Sequence, residues 1–219
     1  MRIDFIQAVH TSTKRDYVGR VVADDKAHCA EVARRWDRDY WDGERKYGYG
    51  GYRYDGRWLP VAQAMAKHYR LGPGSRVLDV GCGKAFLLYE FTRAVPGLQA
   101  YGIDVSHYGL VHAKEEVRPH LARATATALP FPDRSFDLVF SINTLHNLRN
   151  HELHAALGEV QRVSRGAAHL TVESFETERQ KANLLYWQLT CRSFYSPDEW
   201  EWFFGLSGYA GDWSYIFFD

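Results

Sequence analysis

The sequence predicts an α/β protein: an open, doubly wound, mostly parallel sheet preceded by an N-terminal helical segment. Three observations carry this. From Gly72 onward, short apolar strand-like runs alternate with helix-like stretches, as in parallel sheets built from crossover units. A glycine turn, GCG at residues 81–83, follows the first such run directly and opens into a helix. With 219 residues, 46% of them hydrophobic, the chain can bury one sizeable core, so a single domain with additions is expected.

The elements follow in order. Residues 22–40 (VADDKAHCAEVARRWDRDY) and 58–71 (WLPVAQAMAKHYRL) space apolar residues at three and four, predicting two amphipathic helices. Between them KYGYGGYRYDGRW, residues 46–58, sets tyrosines and a tryptophan among glycines, which predicts a loop. GPGS is a turn, RVLDVG a buried strand, and AFLLYEFTRAV a helix stopped by Pro96-Gly97. LQAYGIDV reads as the second strand, Tyr108–Val117 as a helix, LARATA as the third strand and FDLVFSI as the fourth. Helix 151–164 and the strand AHLTVESF come next. Residues 176–192 predict a helical insert where a short connection would suffice. In SPDEW, Ser196 suits an N-cap, Pro197 the first helical position and Glu199 the return bond of a capping box; Gly205 and Gly208 stop that helix before the last strand, GDWSYIFFD. The expected division is a helical and aromatic segment, 1–71, and a sheet domain, 72–219, carrying the insert.

Charge and composition remove several classes of function. Twenty-seven basic residues balance 27 acidic ones, which argues against a chain built to grip nucleic acid or an anionic membrane. The N-terminus, MRIDFIQAVHTSTKRDY, is charged throughout, and no apolar run of about 18 residues occurs, so neither an export signal nor a membrane span is expected. Cys29, Cys82 and Cys191 lie far apart, without zinc or disulfide spacing, which suits a cytoplasmic location. His151 and His154 lack a third ligand nearby; they are read as exposed, and no metal is expected.

The chemistry gathers at the strand ends. A dinucleotide turn wants G-x-G-x-x-G, but the third glycine position here is Phe86. The sequence instead has Asp79-x-Gly81-x-Gly83, whose carboxylate can receive an ammonium group and would repel a pyrophosphate. Cys82 between the glycines is read as a small filler. Asp104, at the end of the second strand, is placed to accept both hydroxyls of a ribose. Asn143, His146 and Asn147 follow the fourth strand, where ligands of such sheets bind.

At VLDVGCG, YGIDVS and ALPFPDRSFDLVFS, in that order and spacing, the chain resembles the class I, Rossmann-like S-adenosylmethionine-dependent methyltransferases, over about residues 70–175. FYSPDEWEWFFGLSGY is similar to that family's penultimate helix. The resemblance implies a Rossmann-like doubly wound, mostly parallel sheet with an antiparallel last strand, an N-terminal helical lid, and S-adenosylmethionine as cofactor. By position, Gly81 and Gly83 would pass under its methionine part, Asp79 hold its amino end, Asp104 bind the ribose, and Val105 pack on adenine. Ser141 would also belong to the cofactor site. Thr125 and Ala126 stand where family members often carry an acidic and then a small residue, so adenine recognition would lean on Ala126 backbone and Val105.

Residues before the first strand commonly fold over the site in this family, so Tyr47, Tyr49 and Tyr52 are read as a lid whose rings face the sulfonium. A packed loop and a nucleic-acid surface are the other readings of that stretch. The first functional expectation is methyl transfer to a small-molecule nitrogen or oxygen in an enclosed site, by a monomer or homodimer. His146 or a lid tyrosine would serve as base, Asn147 and Glu173 as orienting neighbours, with Tyr186 as a further catalytic candidate and Asn143 as a substrate contact. A second keeps the cofactor but has it attacked by its own amine or carboxylate, releasing methylthioadenosine and a small ring. A non-catalytic cofactor- or RNA-binding module is the third, and a nicotinamide dehydrogenase, disfavoured by Phe86, the fourth.

Overall fold

The computed structural model describes residues 1–11 and 15–219. Six strands, β1 (Arg76–Val80), β2 (Gln99–Asp104), β3 (Leu121–Arg123), β4 (Phe136–Ile142), β5 (Ser164–Glu173) and β6 (Asp212–Ile216), form one sheet in the order β3-β2-β1-β4-β5-β6. Every neighbouring pair is parallel, with Asp79 opposite Gly102 on β2 and Phe140 on β4.

Both faces are covered, which is why the strands read as near-continuous apolar runs. On one face α5 (Leu59–His68), α6 (Phe86–Ala94) and Leu184 of α9 (Glu178–Trp187) pack on Val77, Leu138 and Phe140. On the other, α8 (Asn150–Val163) and α10 (Pro197–Leu206) pack on Leu78, Val80, Val139 and Leu170. Leu153, Ala156, Leu157, Val160 and Val163 bury one stripe of α8, at helical spacing. The capping box of α10 forms: Glu199 accepts from the Ser196 N–H at 2.8 Å.

Four expectations are corrected. The last strand is parallel, not antiparallel: between β5 and β6 the chain runs through α9 and α10, a crossover that returns it to the starting end of the sheet, whereas an antiparallel neighbour needs a hairpin. The helix over 22–40 is broken into α3 (Lys26–Ala33) and α4 (Arg38–Trp41), after α2 (Tyr17–Val22), because Asp25 and Asp37 accept from the next backbone N–H groups as N-caps and Trp36 takes a left-handed φ of 54°. The helix predicted over Tyr108–Val117 is the short α7 (His107–Val111), capped by Ser106. Of the insert 176–192, only α9 is helical; Gln188 is extended. The first 71 residues share the core of the sheet domain: Ile6, Val61, Ala62 and Met65 belong to the same buried cluster as Val77 and Phe140.

Candidate cofactor and acceptor site

β1 and β4 are adjacent, yet the helices after them, α6 and α8, lie on opposite faces, so a crevice opens between their carboxyl ends. Gly81 and Gly83 leave β1 with φ of 90° and 54°, left-handed values that favour glycine. Their faces are also crowded. A Cβ on Gly81 would strike the Thr144 side chain, and one on Gly83 would lie 2.5 Å from Trp41 Cη2. Asn143 and Ala85, at the far sides of the crevice, take left-handed φ of 57° and 56° without being glycine. Such strain gathers at sites that aim side chains.

The cofactor half sits on β1 and β2. Asp104 Oδ2 accepts from the Gly83 N–H at 2.8 Å and Oδ1 from the Ser106 N–H at 2.7 Å, which aims the carboxylate at the turn. Burial raises the carboxyls of Asp79 and Asp104, and the charge of Asp104 raises Asp79 further. Two buried acids side by side fit a ligand that brings a positive charge and hydroxyl donors. Val105 follows, 46% exposed, with an apolar face free to pack on a ring, and Ala126 is buried nearby. The Thr125 hydroxyl turns to Thr127 at 2.9 Å, and Ser141 donates to the Val80 carbonyl at 2.7 Å, tying β4 to β1. Cys82 is buried, its Sγ filling the space over Gly102.

The aromatic segment closes over this turn. Trp41 lies on Gly83 and donates from Nε1 to Ser106 Oγ at 2.8 Å; its ring stacks on Tyr49 at 5.4 Å between centroids, Tyr49 lies 4.5 Å from Tyr52, and Tyr52 stacks on Phe86 at 4.9 Å. Asp42 fastens the segment. Its carboxylate accepts from Lys84 Nζ through both oxygens at 2.7 Å, from the Tyr108 hydroxyl at 2.9 Å and from the Tyr52 N–H at 3.1 Å. Burial alone would raise Asp42, but these donors hold it below the usual carboxylate range. Tyr47 is apart from the trio, beside His28 in a satellite cluster.

The acceptor half lies at the ends of β4 and β5. His146 and Glu173 are each 1% exposed, with Nε2 and Oε2 3.4 Å apart. Among the described residues, His146 Nδ1, Glu173 Oε2, Asn143 Oδ1 and Asn147 Oδ1 are buried without a hydrogen-bond partner. Each such atom costs roughly 1–3 kcal/mol. Four of them in one neighbourhood fit a polar ligand that would restore the missing bonds. Burial pushes His146 down to about 3 and Glu173 up to about 8, so both are neutral near pH 7. Burial raises the Tyr49 phenol, and Tyr40, Glu173 and Asn143 all act on it, joining the aromatic segment to this cluster. Tyr186 is not brought in; it is 41% exposed on α9. His151 and His154 are exposed, the latter facing Ser207 Oγ at 2.9 Å.

Sequence reasoning missed Trp41, Asp42, Lys84, Ser106 and Thr144. One signal was present: a lysine inside a glycine turn must find a carboxylate when that turn is covered.

Residues 77–166 match a family model described as a methyltransferase domain. The chain is 37% identical over 112 residues to a demethylmenaquinone methyltransferase of Mycobacterium sp. (strain KMS), an alignment covering 51% of this chain and 46% of that protein. It spans about half the length of the curated relatives it matches. Among solved structures, the YcgJ protein of Bacillus subtilis has a similar fold, with a TM-score of 0.52 and 21% identity over 67% of this chain and 66% of that one. The [4+2]-cyclase SpnF also matches with a TM-score of 0.52 and 21% identity, over 68% and 57%. The family match takes in Asp79, Gly81, Gly83, Asp104 and His146, but not Trp41, Tyr49, Tyr52 or Glu173.

Proposed function

We propose that the chain is a class I, Rossmann-like S-adenosylmethionine-dependent methyltransferase and that it methylates a nitrogen or oxygen of a small molecule in an enclosed site. The observation that carries this is the buried cluster of unpartnered polar atoms on Asn143, His146, Asn147 and Glu173, roofed by Tyr49 and set across the crevice from the glycine turn.

The cofactor, when bound, supplies a methyl group on a positively charged sulfur. Asp79 is placed to hold its ammonium group and Asp104 its ribose hydroxyls, while Val105 and Ala126 flank adenine. Trp41, Tyr49 and Tyr52 cover the turn and exclude water, and a ring face presented to a cation would contribute on the order of 0.5–2 kcal/mol. Water exclusion also favours a transfer that discharges the sulfur. Asn143 and Asn147 orient the acceptor. His146 Nδ1 takes its proton, and Glu173, once ionised, stabilises the imidazolium through Nε2. The Glu173 shift sets the pH dependence: activity toward an acceptor that must lose a proton rises through pH about 8, and Glu173→Gln flattens that limb.

Balanced charge supports action without nucleic acid, as a monomer or homodimer, and three free, buried cysteines support a cytoplasmic location. No helix among the described residues is long and apolar enough to cross a membrane.

A second reading, consumption of the cofactor without an acceptor, is favoured by the crowding of Trp41 and Thr144 on the glycine turn. Incubation with S-adenosylmethionine decides between them. Methyl transfer yields S-adenosylhomocysteine only when an acceptor from a small-molecule panel is added; methylthioadenosine from the cofactor alone would replace this reading with the second.

A further inference from the structure

Away from the crevice, a cavity of about 350 Å³ opens between α2, α3 and the C-terminal end of α9, with Arg20, Lys26, Arg45, Trp187 and Leu189 in its lining. The guanidinium groups of Arg20 and Arg45 lie 4.7 and 5.2 Å from the centre of the Trp187 ring. Among the described residues, Arg20, Lys26 and Arg45 bond carbonyl oxygens and form no close ion pair. Arg20 Nε donates to the Trp187 carbonyl at 2.8 Å, Lys26 Nζ to those of Leu185 and Tyr186, and Arg45 to that of Gly48. Two acids share the lining: Asp24 faces Lys46, also in the lining, at 3.9 Å and partly offsets the charge of Arg20, and Asp16 caps α2 by accepting from the Gly19 N–H.

Burial lowers Arg20, Arg45 and Lys26, the last to about 8, and Arg20 is lowered further by Arg45 as Lys26 is by Arg20. Partly desolvated like charges around one indole are a cost that an anion would relieve. The cavity also adjoins the acceptor cluster through a single extended segment. Trp187 and Leu189 face the cavity, while the Gln188 amide donates to Glu173 Oε1 and the Cys191 thiol lies against the same carboxyl. Arg45 acts from the cavity on Tyr49 and Tyr40.

We propose that this cavity binds a small carboxylate, with Arg20 and Arg45 gripping the anion over the face of Trp187. Anion binding here does not rest on the methyl-transfer reading.

The test is calorimetric titration of the intact chain with benzoate and with benzamide, its neutral counterpart. Benzoate is expected to bind saturably and benzamide at least about tenfold more weakly, since charge-assisted bonds to a carboxylate are lost. Arg20→Gln and Arg45→Gln should each weaken benzoate about tenfold or more while the affinity for S-adenosylhomocysteine holds. Because Arg20 and Lys26 both bond the carbonyls that end α9, Arg45→Lys provides a variant that keeps that cap, expected to weaken benzoate by about threefold or more. Equal binding of the two probes, or benzoate binding untouched by Arg45→Gln and Arg45→Lys, overturns the site. Loss of methyl transfer to every acceptor, with benzoate binding intact, would overturn the methyl-transfer reading and not the anion site.

Discussion

Asp79 and Asp104 crowd two acidic groups into a crevice from which water is largely removed, an arrangement that costs the free protein stability and serves a cationic ligand. The two are not equivalent. Asp104 also holds the Gly83 and Ser106 N–H groups, whereas the largest effect on Asp79 after burial is repulsion by Asp104. Asp79→Asn is therefore expected to raise the melting temperature of the free protein while weakening S-adenosylhomocysteine binding about 10- to 100-fold, the range for a charged hydrogen bond. Asp104→Asn should lower both; differential scanning fluorimetry with and without ligand reads the contrast. Glu173 and His146 give opposite pH limbs. Glu173 is raised from 4.5 to about 8, so the folded chain holds the extra proton and stability falls as pH rises through that window. His146 is lowered from 6.5 to about 3, so stability falls as pH drops through that lower window. Glu173→Gln removes the alkaline penalty. Its melting temperature relative to the native chain should climb between pH 5 and pH 9, by about 4 °C or more at roughly 2–4 °C per kcal/mol for a chain of this size.

The aromatic segment behaves as an element although little of it is helical. Trp41, Tyr49 and Tyr52 stack in sequence, and the Asp42–Lys84 pair holds the stack on the glycine turn. Asp42→Asn keeps the shape but leaves Lys84, which is buried, without its counter-charge. The expected loss is about 1–2 kcal/mol of stability, discounted because Asp42 is partly exposed, together with faster protease cleavage between residues 43 and 57 and weaker S-adenosylhomocysteine binding. Unchanged cleavage and affinity would reduce Asp42 to a surface contact. Element by element, local signals were the legible ones. The capping box at Ser196 depends on residues within one turn, and it forms as read. The break inside 22–40 was missed because aspartates that look like helix surface act as caps at Asp25 and Asp37, a choice settled by where the segment must bend to reach Ser106 and Lys84.

At the scale of the molecule, the glycine turn after β1 is covered by a segment that reaches it from the N-terminal side, so a ligand bound at that turn is expected to order the segment. Hydrogen exchange should show protection of amides in residues 38–58 when S-adenosylhomocysteine is added, and loss of that protection in Asp42→Asn. What the sequence alone determined was the alternation of strand and helix and the carboxyl-end placement of Asp79 and Asp104. These follow from periodicity and short separations, which a linear chain displays directly. The tertiary structure decided the rest: that Trp41 bonds Ser106 across 65 residues and Asp42 bonds Lys84 across 42, that Tyr186 faces outward, and that β6 runs parallel. It also decided that His146 and Glu173 are neutral, because charge state depends on how much water the surrounding elements remove, and no stretch of sequence contains its own solvent.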